Sequence, residues 1–235
     1  MVNKFLYPNG GSETYIFEIG KQLEKLGHEV QYFGMEHEGR IVGNHAESYT
    51  SDMDFHTGKL SKLLYPFKII YSTEARKKIR RVLEDFCPDA VHLNNFNFQL
   101  TPSILYEIRA FEKKCGHKIR IVFTAHDYQI VCPNHLLMKP DKSLCSECLD
   151  GHPGHCMKYG CIHGSRAKSA VGSLEGWLYR RLHAYRMIDT VICPSAFMEQ
   201  KLSAHPDLRG KTVVMYNFVE LLSEEIFEKQ DYVLY

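Results

Sequence analysis

The sequence predicts an α/β domain built on a doubly wound, mostly parallel sheet, and three observations predict it. Short apolar runs at 89–93, 119–123 and 190–193 are aliphatic or β-branched, as strands buried on both faces are. Helical periodicity fills the chain between them, and strands alternating with helices give a parallel sheet. A composition of 44% hydrophobic and 24% charged residues over 235 positions supports one sizeable core.

In chain order, residues 2–5 read as the tail of a strand whose beginning is missing, followed by a loop holding Pro8, Asn9, Gly10 and Gly11. A helix follows, with Ser12 as its N-cap, Ile16, Ile19, Leu23 and Leu26 at helical spacing, and Gly27 closing it. Residues 28–33 form the expected second strand. The pattern is weak over 34–66, where loops, one short strand and a short helix near Leu60 are expected. Ile70, Ile79, Val82, Leu83 and Phe86 mark a basic amphipathic helix over 67–86, stopped by Cys87-Pro88. Further helices are expected over 101–114, 167–186 and 195–204, and a last strand over 212–216. This makes 1–219 one domain, with a cysteine-rich insertion at about 128–166. Residues 220–235 then read as an acidic linker and the first residues of a further domain.

Net charge is +1, from 29 Lys and Arg against 28 Asp and Glu, so the overall field recruits neither nucleic acid nor an acidic membrane. No apolar run is long enough to span a bilayer, and residues 2–5 lack a secretory leader's pattern. The expected location is cytoplasmic, with peripheral contact at the inner membrane face left open.

In open α/β sheets ligands bind beyond the carboxyl ends of the strands, where loops and helix N-termini converge. The candidates there are Gly10, Gly11, Ser12 and Glu13, then His92, Asn94 and Asn95, then Thr124, His126 and Asp127, then Pro194-Ser195 and Asn217. A glycine pair before a helix lets backbone amides approach an anion such as a diphosphate, though an ordinary tight turn gives the same sequence. Glu13 would repel a phosphate unless turned away, and could accept sugar hydroxyls instead. His126 and Asp127 place an imidazole and a carboxylate at the rim, where a histidine can orient a hydroxyl or stabilise developing charge. His92, inside its strand, reads as a packed, hydrogen-bonded residue. Asn94 and Asn95 either bind hydroxyls or satisfy the turn.

Asn3 with Pro8, Gly10, Gly11, Ser12 and Glu13, then Pro88-Asp89, Val91-His92, Thr124 with His126-Asp127, Pro194-Ser195 and 217–219 together resemble family 4 glycosyltransferases over almost the whole chain. The resemblance implies the N-terminal, acceptor-side Rossmann-like half of a GT-B fold. It implies a retaining transfer from a nucleotide-diphosphate sugar to a glycan or lipid-linked acceptor, in polysaccharide or cell-surface glycan synthesis, with no catalytic cofactor. On that reading Gly10 and Gly11 contact the donor diphosphate, and His126 sits at the transferred sugar as the catalytic candidate. Glu13, Asn94 and Asp127 are acceptor-side candidates, and no nucleophile is assigned. The donor-binding residues of such enzymes lie in a C-terminal domain, so this chain alone is expected to be inactive.

The insertion carries Cys132, Cys145, Cys148, Cys156 and Cys161 with His135, His152, His155 and His163. Cys145 and Cys148 have metal-ligand spacing, and Cys156 with Cys161 could complete a structural zinc site; two disulfides or packed free thiols are the alternatives. Cys87, Cys115 and Cys193 are expected to be buried, and Trp177 to pack in the core. Two other functions fit parts of the sequence. One is a non-catalytic zinc-dependent binding module, which needs no convergence of Gly10-Gly11 with His126; the other is a nucleotide-sugar epimerase-like domain.

Overall fold

The structure, a computed structural model, describes residues 1–51 and 70–218. The expected helix near Leu60, the first turn of the 67–86 helix and the 220–235 segment lie outside the described residues.

Helix α1 (Gly11–Lys25) opens after Gly10 and buries Ile16 and Phe17. Gly27, in the left-handed region at φ 87°, ends it, as the sequence indicates. Ser12 is not the cap: Gly10 holds that position without a side-chain bond, and Ser12 lies inside the first turn. Helix α2 (Thr73–Phe86) is capped by the Ser72 side chain on the Ala75 amide, and strand β1 (Ala90–Leu93) follows. Helix α3 (Ser103–Cys115) leads to β2 (Arg120–Thr124). After the insertion, which holds the short helix α4 (Gly154–Tyr159), come α5 (Arg166–Arg181), β3 (Thr190–Cys193), α6 (Ala196–Leu202) and β4 (Thr212–Val214).

The four strands pair in parallel in the order β1-β2-β3-β4. The expected first two strands narrow to single parallel bridges, Val2 with Phe33 and Val2 with Leu93, and Met35 pairs likewise with Thr50. Two backbone bonds hold Val2 against β1, from its amide to the His92 carbonyl at 2.7 Å and from the Asn94 amide to its own carbonyl at 2.9 Å. Val2 thus lies between Phe33 on one side and β1 on the other. Later chain segments are added in opposite directions from it, which opens a crevice beyond its carboxyl end.

The core gathers Val91, Leu93, Ile121, Phe123, Val191 and Cys193 from the strands with Ile79, Leu83, Ile104, Ile108, Tyr179 and Tyr185 from the surrounding helices and turns. The basic run of α2 is only partly a solvated face. Arg76 and Arg80 reach across to Glu107 of α3, at 2.6 and 2.5 Å, and clamp the two helices.

The helix expected over 167–186 stops at Arg181 and resumes as a 3-10 turn, Ala184–Met187, because His183 adopts φ 51° between them. Helix α5 turns Ser169, Gly172, Ser173, Glu175 and Tyr179 inward, which leaves Trp177 on the outer face, 52% exposed, rather than in the core. Cys87 and Cys115 are exposed, contrary to expectation, while Cys193 is buried. Among the described residues, no helix is long and apolar enough to cross a membrane.

Candidate active site

The loop after Val2, the N-terminus of α1 and the loops after β1 and β2 meet beyond the carboxyl edge of the sheet. Asn3 is fully buried and organises them. Its Nδ2 donates to the Phe5 carbonyl and to Glu13 Oε1, both at 2.8 Å, and its Oδ1 accepts the Asn95 amide at 3.0 Å. Ser12 closes the ring: its hydroxyl donates to Glu13 Oε1 at 2.9 Å and accepts Asn95 Nδ2 at 2.8 Å. Glu13, 2% exposed, is therefore turned inward, away from any anion at the helix N-terminus, and braces the loop.

Gly10 and Gly11 are exposed above this brace. Gly10 is extended, with φ −177°, a conformation open to any residue. A Cβ at Gly10 would make only ordinary contact, 3.5 Å from Glu13 Oε2, and one at Gly11 would meet nothing within 4 Å. Among the described residues nothing requires glycine at either position. The first amides of the 15-residue α1 face outward with the positive end of the helix dipole behind them, a setting that favours an anion.

His126 stands at the end of β2. Its Nε2 lies 2.9 Å from Asn94 Oδ1. Asn94 Nδ2 faces the His92 carbonyl at 3.5 Å, which fixes the amide with its oxygen toward the imidazole. An amide oxygen only accepts, so Nε2 carries the proton and Nδ1 keeps its lone pair. Burial pushes the His126 pKa down to about 4, so the ring is neutral near pH 7. It can accept a hydroxyl's hydrogen bond at Nδ1; it is not a resident acid.

Beside it, His92 Nε2 meets the Thr124 hydroxyl at 2.7 Å, and burial pushes its pKa down to about 3. The hydrogen-bonded role expected for His92 is the one observed. Tyr15 of α1 also reaches Thr124, at 3.2 Å, and sets its ring edgewise to His126 with centroids 5.2 Å apart. Phe218, after β4, lies against the same ring at 5.9 Å. Asp127 turns back on its own loop, its Oδ1 accepting the Gln129 amide at 2.9 Å, and burial raises its pKa. Ser195 caps α6 through the Met198 amide at 3.1 Å.

Hydrogen bonds thus join Glu13 to Ser12, Asn3 and Asn95, and His126 to Asn94, the neighbour of Asn95 in the chain; Gly10 and Gly11 directly precede Ser12, and Asp127 follows His126. Thr124 was among the strand-end candidates; sequence reasoning did not single out Asn3 or Tyr15 as site residues. Asn3 had a visible signal, a polar residue directly after an apolar strand end; Tyr15, one step off the apolar stripe of α1, had little.

The insertion's thiols are all free. Cys132, Cys145, Cys148, Cys156 and Cys161 line one small cavity with His155, apart from the strand-end site. Among the described residues, no three His, Cys, Asp or Glu side chains already stand as a metal-binding group.

Comparison with known proteins agrees with this architecture. An uncharacterised 42.6 kDa protein in the cps region of Klebsiella pneumoniae is 26% identical over 152 residues, which cover 59% of this chain and 39% of that protein. The chain thus spans about two fifths of that relative's length. Residues 9–221 match the profile of Glycosyltransferase Family 4, nearly the whole of the described domain, and the chain belongs to that family.

Proposed function

We propose that the chain is the acceptor-side half of a retaining glycosyltransferase that uses a nucleotide-diphosphate sugar and acts on a glycan or lipid-linked acceptor, completed by a C-terminal donor-binding domain. The observation that carries this reading is the convergence of the α1 N-terminus with His126 at the crevice beside Val2, linked through Ser12, Asn95 and Asn94. In the proposal the outward amides at Gly10 and Gly11 receive the diphosphate, with Glu13 held out of its way by Asn3 and Ser12. Neutral His126 accepts a hydroxyl of the transferred sugar at Nδ1 and positions it. Asn94 and Asp127 border the acceptor. No catalytic metal is invoked.

A non-catalytic binding module would have no use for this convergence, and an epimerase-like domain would keep the anion cradle while transferring nothing. Product analysis therefore separates the readings. The cps-region relative agrees with an acceptor in surface-polysaccharide assembly. Contact with an anionic membrane surface fits α5, whose exposed Leu174 and Trp177 are accompanied by Arg166, Lys168 and Arg181, its single acid, Glu175, being buried.

The test is transfer of label from a panel of nucleotide sugars by the protein as its gene encodes it. Labelled product that forms more slowly in His126→Ala supports the reading; no transfer from any donor, or epimerised donor as the product, overturns it.

A further inference from the structure

We propose that Cys132, Cys145, Cys148 and Cys161 bind one zinc ion, with Cys156 packed beside it as an uncoordinated thiol. This ligand set differs from the one that spacing alone suggests, and the fold is what changes it. Cys132 belongs to the loop that leaves β2 just after His126 and Asp127, yet it lines the same cavity of about 10 Å³ as the CxxC pair. That volume is about one water's worth, enough for a bare cation.

Three observations choose the four. First, Cys145 is the thiol whose charge is felt at Cys132, Cys148 and Cys161 alike, which makes it the centre of that group. Cys156 sits on α4, 1% exposed, where Ser169 of α5 hydrogen-bonds its sulfur and its own S–H donates to Cys161. Second, backbone bonds bring the ligand segments together: the Cys145 amide donates to the Leu137 carbonyl at 2.8 Å, and the His135 amide donates to the Cys132 carbonyl at 2.7 Å in the turn after Cys132. Third, left-handed glycines shape the turns that present the ligands. Gly151, at φ 96°, closes the 3-10 turn Glu147–Asp150 that contains Cys148, and Gly160, at φ 65°, directly precedes Cys161.

Tetrahedral coordination by four thiolates is zinc's closed, structural arrangement, and binding releases the thiol protons. The sulfurs are not at ligand spacing as they stand, so binding draws them inward. Leu137, Met138 and Tyr159 complete an otherwise apolar lining that keeps water from the ion. The ion would pin residues 128–137, the segment continuous with His126 and Asp127, to the hairpin bridge of Met138 with Leu144 and to the segment between α4 and α5. In a long loop with little regular structure, such a tie supplies order that hydrogen bonds alone do not.

Cobalt(II) titration of the reduced, metal-stripped protein tests this without any variant. One equivalent should saturate a sulfur-to-cobalt charge-transfer band of four-thiolate intensity, and zinc should displace the cobalt. No saturable band overturns the site. Cys156→Ser should leave the band unchanged, whereas Cys132→Ser should weaken affinity by at least about a hundredfold and leave a three-thiolate spectrum. A band kept in Cys132→Ser and lost in Cys156→Ser overturns the ligand set. The optical readout is independent of sugar transfer, so the outcome stands apart from the proposed activity.

Discussion

Asn94 decides what His126 can do, because its amide oxygen accepts from Nε2 and leaves Nδ1 as the acceptor. Replacing Asn94 with Asp puts a carboxylate on that proton and favours the imidazolium, so the His126 pKa should rise from about 4 to above the ordinary histidine value. An NMR titration of the ring checks it: the variant should titrate between about pH 6 and 8, where the wild-type ring is silent. Gly11 supports a second test at this scale. A Cβ there meets nothing within 4 Å and the position is helical, so Gly11→Ala should leave thermal stability unchanged or raise it by up to about 1 kcal/mol. If the amides there hold the donor diphosphate, the same change should raise the donor KM severalfold in the transfer assay. The sequence singles out Gly10, Gly11, Thr124 and His126 because each stands in a segment that closes or follows a predicted strand, and position alone marks the rim. The network that holds them was not readable, since its partners lie far apart in the chain: Asn3 bonds Asn95, and Thr124 bonds Tyr15 and His92.

Helix α5 shows how an element's pattern can mislead. Its buried face carries Glu175, 2% exposed, whose Oε1 has no hydrogen-bond partner among the described residues, while Trp177 points outward. Burial pushes the Glu175 pKa up to about 8. An unfolded glutamate titrates near 4.3, so between about pH 4.5 and 8 folding takes up a proton, and stability falls by up to about 1.4 kcal/mol per pH unit as pH rises through that window. Glu175→Gln should abolish this contribution, and chemical denaturation at pH 5 and pH 8 should show the variant gaining far more on the wild type at the higher pH. The helix ends where His183 turns left-handed, a backbone choice that no residue-type signal announced. By contrast β3 matches its expected span to the residue, since the run is bounded by Asp189 on one side and Pro194 on the other. The first two strands shrink to bridges because periodicity reports burial of side chains, not how many ladder bonds a short segment keeps.

For the whole molecule, the governing feature is the reversal of strand order at Val2, which sets the α1 N-terminus and the ends of β1 and β2 around one crevice. Doubly wound topology was readable from alternating strands and helices; the crevice's contents were readable only in part, because they depend on which strands become neighbours. Buried neutral histidines give the domain a collective pH response. His92, His126 and His205 are held down to about 3, 4 and 4, all by burial first. Each is protonated in the unfolded chain below about pH 6.5 but not in the folded one, so stability should be lost as pH falls from about 6.5 toward 4. Thermal melts across that range check the slope, and His205→Gln should flatten it.

The central claim, that this rim holds a sugar donor for transfer, is tested most directly by the transfer assay run on wild type and His126→Ala side by side, with the protein as its gene encodes it. The account predicts labelled product from at least one nucleotide-diphosphate sugar and a fall of roughly tenfold to a hundredfold in kcat/KM for the variant, the loss expected of one hydrogen bond at the reacting sugar. Equal rates for the two proteins would contradict it.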